Sequence, residues 1–225
     1  MADWLSRDDC RRLTQRVLGM SRAEGCELML SSSLEGNTRS AVDGITTSGD
    51  VWNAQLTISS RFGKRSAAVS TNRFDTASLE SAVASSERLA RLAPEDPEMM
   101  PLLGPQPVIE VPALAGSTVK LDGKARADAV RQVLDASQEA GLRPAGFVTR
   151  LVSALAIANS AGLFTYHLSS RAGHSVTVRT PDGDGSGWAG TDHNDWKRAL
   201  PAASPPYSSV RLFVSGEMNS AMRYR

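Results

Sequence analysis

A chain of 225 residues with 41% hydrophobic and 22% charged residues has the make-up of a folded soluble protein, which excludes a disordered chain, a collagen-like fibre and a coiled coil. Its 25 Lys and Arg against 24 Asp and Glu give a net charge of +1, too balanced for a protein that holds nucleic acid through a basic surface. No run approaches the roughly 18 apolar residues of a membrane helix, and the opening MADWLSRDDCRR has no apolar signal core, so the expectation is a cytoplasmic protein that binds neither membrane nor nucleic acid.

The first element is a helix from Ser6. Cys10, Leu13, Val17 and Met20 recur at helical spacing, Ser6 suits the cap, and Asp8 and Asp9 suit the positive end of the helix dipole. At Gly25 the period changes to two, so a strand through Cys26, Leu28 and Leu30 follows, with further strands expected over 38–45, 51–60 and 64–71. In the strand over 51–60, Trp52, Ala54, Leu56 and Ile58 share one face. The breaks at 34–37, 48–50 and 62–64 carry Gly, Asn and Asp and read as turns between antiparallel neighbours.

A second helix is expected from Thr76 to Ala93, capped by Asp75, with Leu79, Val83, Leu89 and Ala90 inward and Pro94 as its stop. Six prolines between 94 and 112 then rule out any long regular element and mark a solvated connector. A third helix over Lys124 to Ala140 turns Val130, Val133, Leu134 and Ala140 inward and ends at Gly141. The apolar run Phe147 to Ala158 reads as a strand, closed by a turn at 159–162, with two more strands over 163–169 and 174–180. A loop over Asp182 to Gly187 follows, and a last helix is expected to start between Thr191 and Leu200, capped by Asp192 or Asn194.

The fold class that emerges is α+β: two α/β units, each a largely antiparallel sheet meander packed against helices. The first unit takes residues 1–94, a Pro-rich linker takes 95–120, the second unit takes 121–200, and 201–225 form an atypical tail.

Chemistry-bearing residues are sparse. Cys10 and Cys26 are two lone thiols with no partner pair for a zinc ribbon and read as reduced core residues. His167, His174 and His193 stand in no HExxH or HExxxH pair. His167 and His174, on consecutive expected strands, could face each other across a hairpin, but no third ligand is evident, so they read as ordinary strand histidines. Asp182 to Gly187 has the alternating acids of a calcium loop without its closing Glu, and reads as a bare turn. Arg61, Lys64, Arg65 and Arg73 gather around a hairpin as either an anion site or, more simply, a solvated turn. No nucleophile elbow and no phosphate-binding glycine loop occurs. No residue is therefore assigned a catalytic, cofactor-binding or metal-binding role.

Seven strings in order carry a resemblance: Asn37-Thr38-Arg39, Ile45-Thr46-Thr47-Ser48-Gly49, Gly63-Lys64-Arg65, Ser70-Thr71-Asn72-Arg73-Phe74-Asp75, Ala90-Arg91-Leu92-Ala93-Pro94-Glu95-Asp96-Pro97, Ala158-Asn159-Ser160-Ala161-Gly162 and Ser186-Gly187-Trp188-Ala189. Over roughly residues 25 to 200 the chain resembles the amino-terminal half of the TldD/PmbA family, also called modulators of DNA gyrase. The resemblance implies a cytoplasmic metallopeptidase system that cleaves unfolded peptides and small proteins. In it two related subunits pair, and a zinc on an HExxxH helix in one subunit's carboxy-terminal domain polarises the scissile carbonyl and activates water. This chain matches none of that domain, so no zinc ligand is carried over and no cofactor is expected in it. The implied partners are a TldD/PmbA-type subunit, in a homo- or hetero-oligomer, and an extended peptide. The tail departs from the family pattern, and it and the run Phe147 to Ile157 are the expected sources of uncovered apolar surface. A regulatory, gyrase-modulating role without peptidase activity is the competing reading.

Overall fold

The computed structural model describes residues 4–42 and 44–199, and the backbone of 211–214. Among the described residues seven strands and five helices follow in the order α1 (Arg7–Met20), β1 (Gly25–Ala41), β2 (Gly44–Phe62), β3 (Arg65–Thr71), α2 (Thr76–Leu92), α3 (Gly116–Val119), α4 (Gly123–Glu139), β4 (Arg143–Asn159), β5 (Phe164–Arg179), β6 (Gly185–His193), α5 (Trp196–Ala199) and β7 (Arg211–Val214). The strands form one sheet in the order β3-β2-β1-β4-β5-β6-β7. The pairs β2–β3, β5–β6 and β6–β7 are antiparallel, as expected for an α+β protein built from hairpins.

The helix boundaries follow from their caps. Ser6 accepts the Asp9 N–H while the Asp9 carboxylate accepts the Ser6 N–H, a reciprocal box that starts α1. The carboxylates of Asp75 and Asp122 accept the N–H groups of Ser78 and Ala125 and start α2 and α4. On α2 the buried stripe is Leu79, Ala82, Val83, Ser86 and Ala90, and the expected Leu89 is exposed. Ser86 lies inward instead, bonding the Ser60 hydroxyl at 2.7 Å. Ala140 likewise points outward at the end of α4.

Four strands run far longer than expected. The two strands anticipated between 26 and 45 are the single β1, and those over 163–169 and 174–180 are the single β5. At about 3.3 Å per residue, the 19 residues of β2 extend roughly 60 Å. Positions 34–37 and 48–50 are therefore strand interior. Gly36 and Gly49 have no positive φ, whereas the real reversals at Gly63 and Gly162 do. The β1–β2 reversal falls at Gly44 instead. In β2 the buried alternation holds at Ala54, Leu56 and Ile58, but Trp52 is 51% exposed. The last expected helix shrinks to the single turn α5, begun by Asp195, because Thr191 to His193 continue β6 through their pairing with 172–174.

Strands of this length serve two cores. One compact unit comprises residues 1–33, 52–112 and 153–168, and the other comprises 34–51, 113–152 and 169–225. Each is drawn from three segments of the chain. The first core packs Cys10 and Val17 of α1 and Leu79 and Val83 of α2 against Cys26, Leu28, Leu30, Leu56 and Ile58. The second packs Leu121, Ala129 and Val130 against Val148 and Ala172, with Val133 on Val176 and Val178 beside it. The tail 201–225 lies outside the described residues except for the β7 backbone, whose register sets Gly185 opposite Val214. No helix among the described residues is long and apolar enough to cross a membrane.

Candidate functional site

The chemistry of the second unit concentrates where α4 meets β1, β2 and β4. Arg126 is in phase with Ala129, Val130, Val133 and Ser137 on the buried stripe of α4, and its side chain is wholly enclosed. All five of its N–H groups are engaged. Nη1 and Nη2 donate to Asp50 Oδ1 and Oδ2 at 3.0 and 2.9 Å, and further bonds reach the Leu121 and Gly49 carbonyls and the Thr38 hydroxyl. Such a fork on a carboxylate is the strongest pairing a guanidinium makes.

A second arginine shares the same carboxylate. Arg150 lies in the buried row of β4 with Val148, Val152 and Ala154. Its Nη2 donates to Asp50 Oδ1 at 2.7 Å and its Nη1 to the Val119 carbonyl at 3.3 Å. Gly36 makes room for this meeting: a Cβ there would stand 2.3 Å from Arg126 Nη1 and 2.4 Å from Asp50 Oδ1. Hydrogen bonding from Arg126, then the positive charges of Arg126 and Arg150, hold the Asp50 carboxyl below its ordinary range. Two guanidinium charges thus converge on one carboxylate, which keeps 39% of its side chain open to solvent. The donors and charge of this cluster suit an oxyanion and not a metal cation.

Sequence reading passed over these residues, although two signals marked them. Arg126 is the charged member of a helical stripe that is otherwise uncharged and mostly apolar, and Arg150 is the charged member of the apolar run Phe147 to Ala158. Charged residues in phase with a core are seldom buried without a partner.

The residues singled out from sequence stand elsewhere. Arg61, Lys64 and Arg65 stand around a turn that is solvent-exposed at Gly63 and Lys64, and they hold the Pro-rich segment against the β2–β3 hairpin. Arg61 Nη1 donates to the Met100 carbonyl at 3.0 Å, Lys64 Nζ to that of Pro97 at 3.3 Å and Arg65 Nη1 to that of Ala93 at 3.1 Å. The Asp96 N–H also bonds the Lys64 carbonyl. Proline removes N–H donors and keeps carbonyl acceptors, so a proline-rich strap is fastened by cations. Arg73 instead pairs with Asp75 at 3.5 Å. The Asn159 amide donates to the Leu103 carbonyl while its Oδ1 accepts the N–H groups of Ala161 and Leu163, so the 159–162 turn anchors the same strap.

His167 and His174 do not face each other across a hairpin, since both lie on β5, an odd number of residues apart. His167 is exposed; His174 is buried, which pushes its pKa down to about 4 and keeps it neutral near pH 7. His193 Nδ1 accepts the Asp195 N–H ahead of α5. Asp182 accepts the Thr180 hydroxyl and the Asp184 N–H, and so braces its own turn. Cys10 and Cys26 are free and buried in the first core, where burial raises the Cys10 thiol to about 11 and raises Cys26 as well. Among the described residues no three His, Cys, Asp or Glu side chains converge as metal ligands would.

No protein-family model and no curated protein matches the chain. Solved structures do. A Thermotoga maritima protein named as a modulator of a DNA gyrase superposes with a TM-score of 0.74 at 13% identity, over 88% of this chain and 45% of that one. TldE from Thermococcus kodakarensis gives 0.70 at 14% identity, over 83% and 43%. A Bacteroides thetaiotaomicron protein named as a modulator of DNA gyrase gives 0.71 at 13% identity, over 89% and 48%. Strand order and helix placement define an α+β protein on one long-stranded sheet. That fold is the one seen in TldD/PmbA-type proteins, and this chain spans just under half the length of those it matches.

Proposed function

We propose that this chain is a non-catalytic part of a TldD/PmbA-like metallopeptidase subunit, acting in the cytoplasm on unfolded peptides or small proteins. The observation that carries this reading is the shared fold, which takes in most of this chain and less than half of each neighbour. The sequence contains no HExxxH pair, so zinc and the hydrolytic step belong to a domain beyond the matched region. The chain's role is then to pair with a TldD/PmbA-type subunit and to wall the path of an extended peptide.

Mixing the purified chain with a zinc-loaded TldD-type subunit tests this. Co-elution, together with chelator-sensitive cleavage of an unfolded peptide by the mixture and not by the chain alone, is expected. Failure of the two to associate at any concentration would refute it. The names of two of the matched structures favour a second reading, a gyrase-modulating protein without peptidase activity. The balanced charge counts against direct DNA contact, and a supercoiling assay with and without the chain separates the two readings.

A further inference from the structure

Arg126 and Arg150 occupy one site on unequal terms. Arg126 has a partner for every N–H, whereas among the described residues Arg150 donates to two acceptors, Asp50 and the Val119 carbonyl. Arg150 Nε is, among the described residues, the buried side-chain nitrogen left with no partner, although only 8% of that side chain is exposed. The neighbouring carboxylate is already divided, since Asp50 Oδ1 serves both arginines and Oδ2 is taken by Arg126. An enclosed guanidinium with an unfilled donor and half a counter-ion is costly, by several kcal/mol in general.

We infer that Arg150 is the base of an oxyanion-binding site that takes a carboxylate on its Nε–Nη2 edge, beside Asp50. The geometry favours a planar carboxylate. The edge offers two parallel donors at the carboxylate spacing, as in the Arg126–Asp50 fork next to it. Asp50, with 39% of its side chain open to solvent, is the exposed member of the cluster. Asp50 stays in the Arg126 fork when its bond to Nη2 lengthens, so the incoming group completes the charge balance without displacing it. The site belongs to this chain alone and does not depend on the peptidase reading.

The test follows the Arg150 Nε–H resonance and the melting temperature of the full chain. Formate, acetate, an acetylated alanine dipeptide with a free carboxylate, the same dipeptide as its amide, and inorganic phosphate are each compared with chloride at equal ionic strength. Formate and acetate are expected to move the resonance and raise the melting temperature above the chloride value. A matching response to the free-acid dipeptide but not to its amide identifies a peptide terminus as the source, and its absence identifies a small free carboxylate. Arg150→Met leaves the Arg126–Asp50 pair balanced and is expected to weaken carboxylate binding about tenfold or more. Asp50→Asn removes the competing carboxylate and is expected to tighten it. No carboxylate response beyond chloride in the wild-type chain, a response to phosphate only, or an undiminished response in folded Arg150→Met would overturn the assignment. If Arg150→Met does not fold, the wild-type resonance and the direction of the Asp50→Asn change decide.

Discussion

Arg126 on α4 grips Asp50 on β2 through two parallel bonds of 3.0 and 2.9 Å across 76 residues of sequence. The pair ties a helix to a strand at a place where Arg150 brings a second positive charge to the same carboxylate.

Removing the carboxylate leaves two enclosed guanidiniums facing each other. Breaking a buried pair costs about 3–5 kcal/mol, and the partial exposure of Asp50 places Asp50→Ala near the lower end of that range. Urea denaturation of wild type and variant measures it; a loss below about 1 kcal/mol would show that water already screens the cluster.

Gly36 and Gly49 look alike in sequence and have opposite expectations. Gly36→Ala forces a methyl group onto a guanidinium held by five bonds, and overpacking of this kind costs about 1–3 kcal/mol. At Gly49 nothing stands within 4 Å of the added Cβ, so Gly49→Ala is expected to be neutral or slightly stabilising. Equal melting temperatures for the two variants would contradict the close packing at Gly36.

His174 governs a pH window of its own. Its folded pKa lies near 4, below the ordinary 6.5, so the unfolded chain binds the extra proton between those values. The stability this buried neutral ring contributes is complete above about pH 6.5 and is lost as pH falls toward 4, a swing of about 3 kcal/mol. His174→Gln is expected to flatten the stability profile in that window. Asp50, whose folded pKa is lowered, acts below it: its contribution is present above the ordinary carboxylate value and fades as pH drops through the lowered one. The profile of Asp50→Asn should lie below wild type above that acid range and lose the wild-type slope within it.

The strap offers a kinetic test. Arg61→Ala with Arg65→Ala removes two of the cations that hold the carbonyls of 93–100, each bond contributing about 0.5–1.5 kcal/mol. Limited proteolysis is expected to cut this segment faster in the double variant while the melting temperature moves little. Unchanged cleavage would mean that the Asp96–Lys64 backbone bond and Asn159 suffice.

What the sequence determined by itself is whatever a few neighbouring residues encode. The starts of α1, α2 and α4 are set by Ser6, Asp75 and Asp122, each bonding an N–H three residues on. Alternation in the strands and burial of both cysteines follow from patterns equally short. The tertiary structure decided the rest, because its causes lie far apart in the chain. Gly36 reads as a turn residue until Arg126 arrives from 90 positions away; its φ is ordinary, and what it supplies is the absence of a Cβ. The proline-rich segment 94–112 reads as a free connector until Arg61, Lys64 and Asn159 reach the carbonyls of Met100, Pro97 and Leu103. Arg150 meets Asp50 across 100 residues, and a periodicity reading registers both arginines as stripe members without showing which charge they will share. A long-range ion pair depends on sheet register and helix placement, so it becomes visible only once the chain is folded.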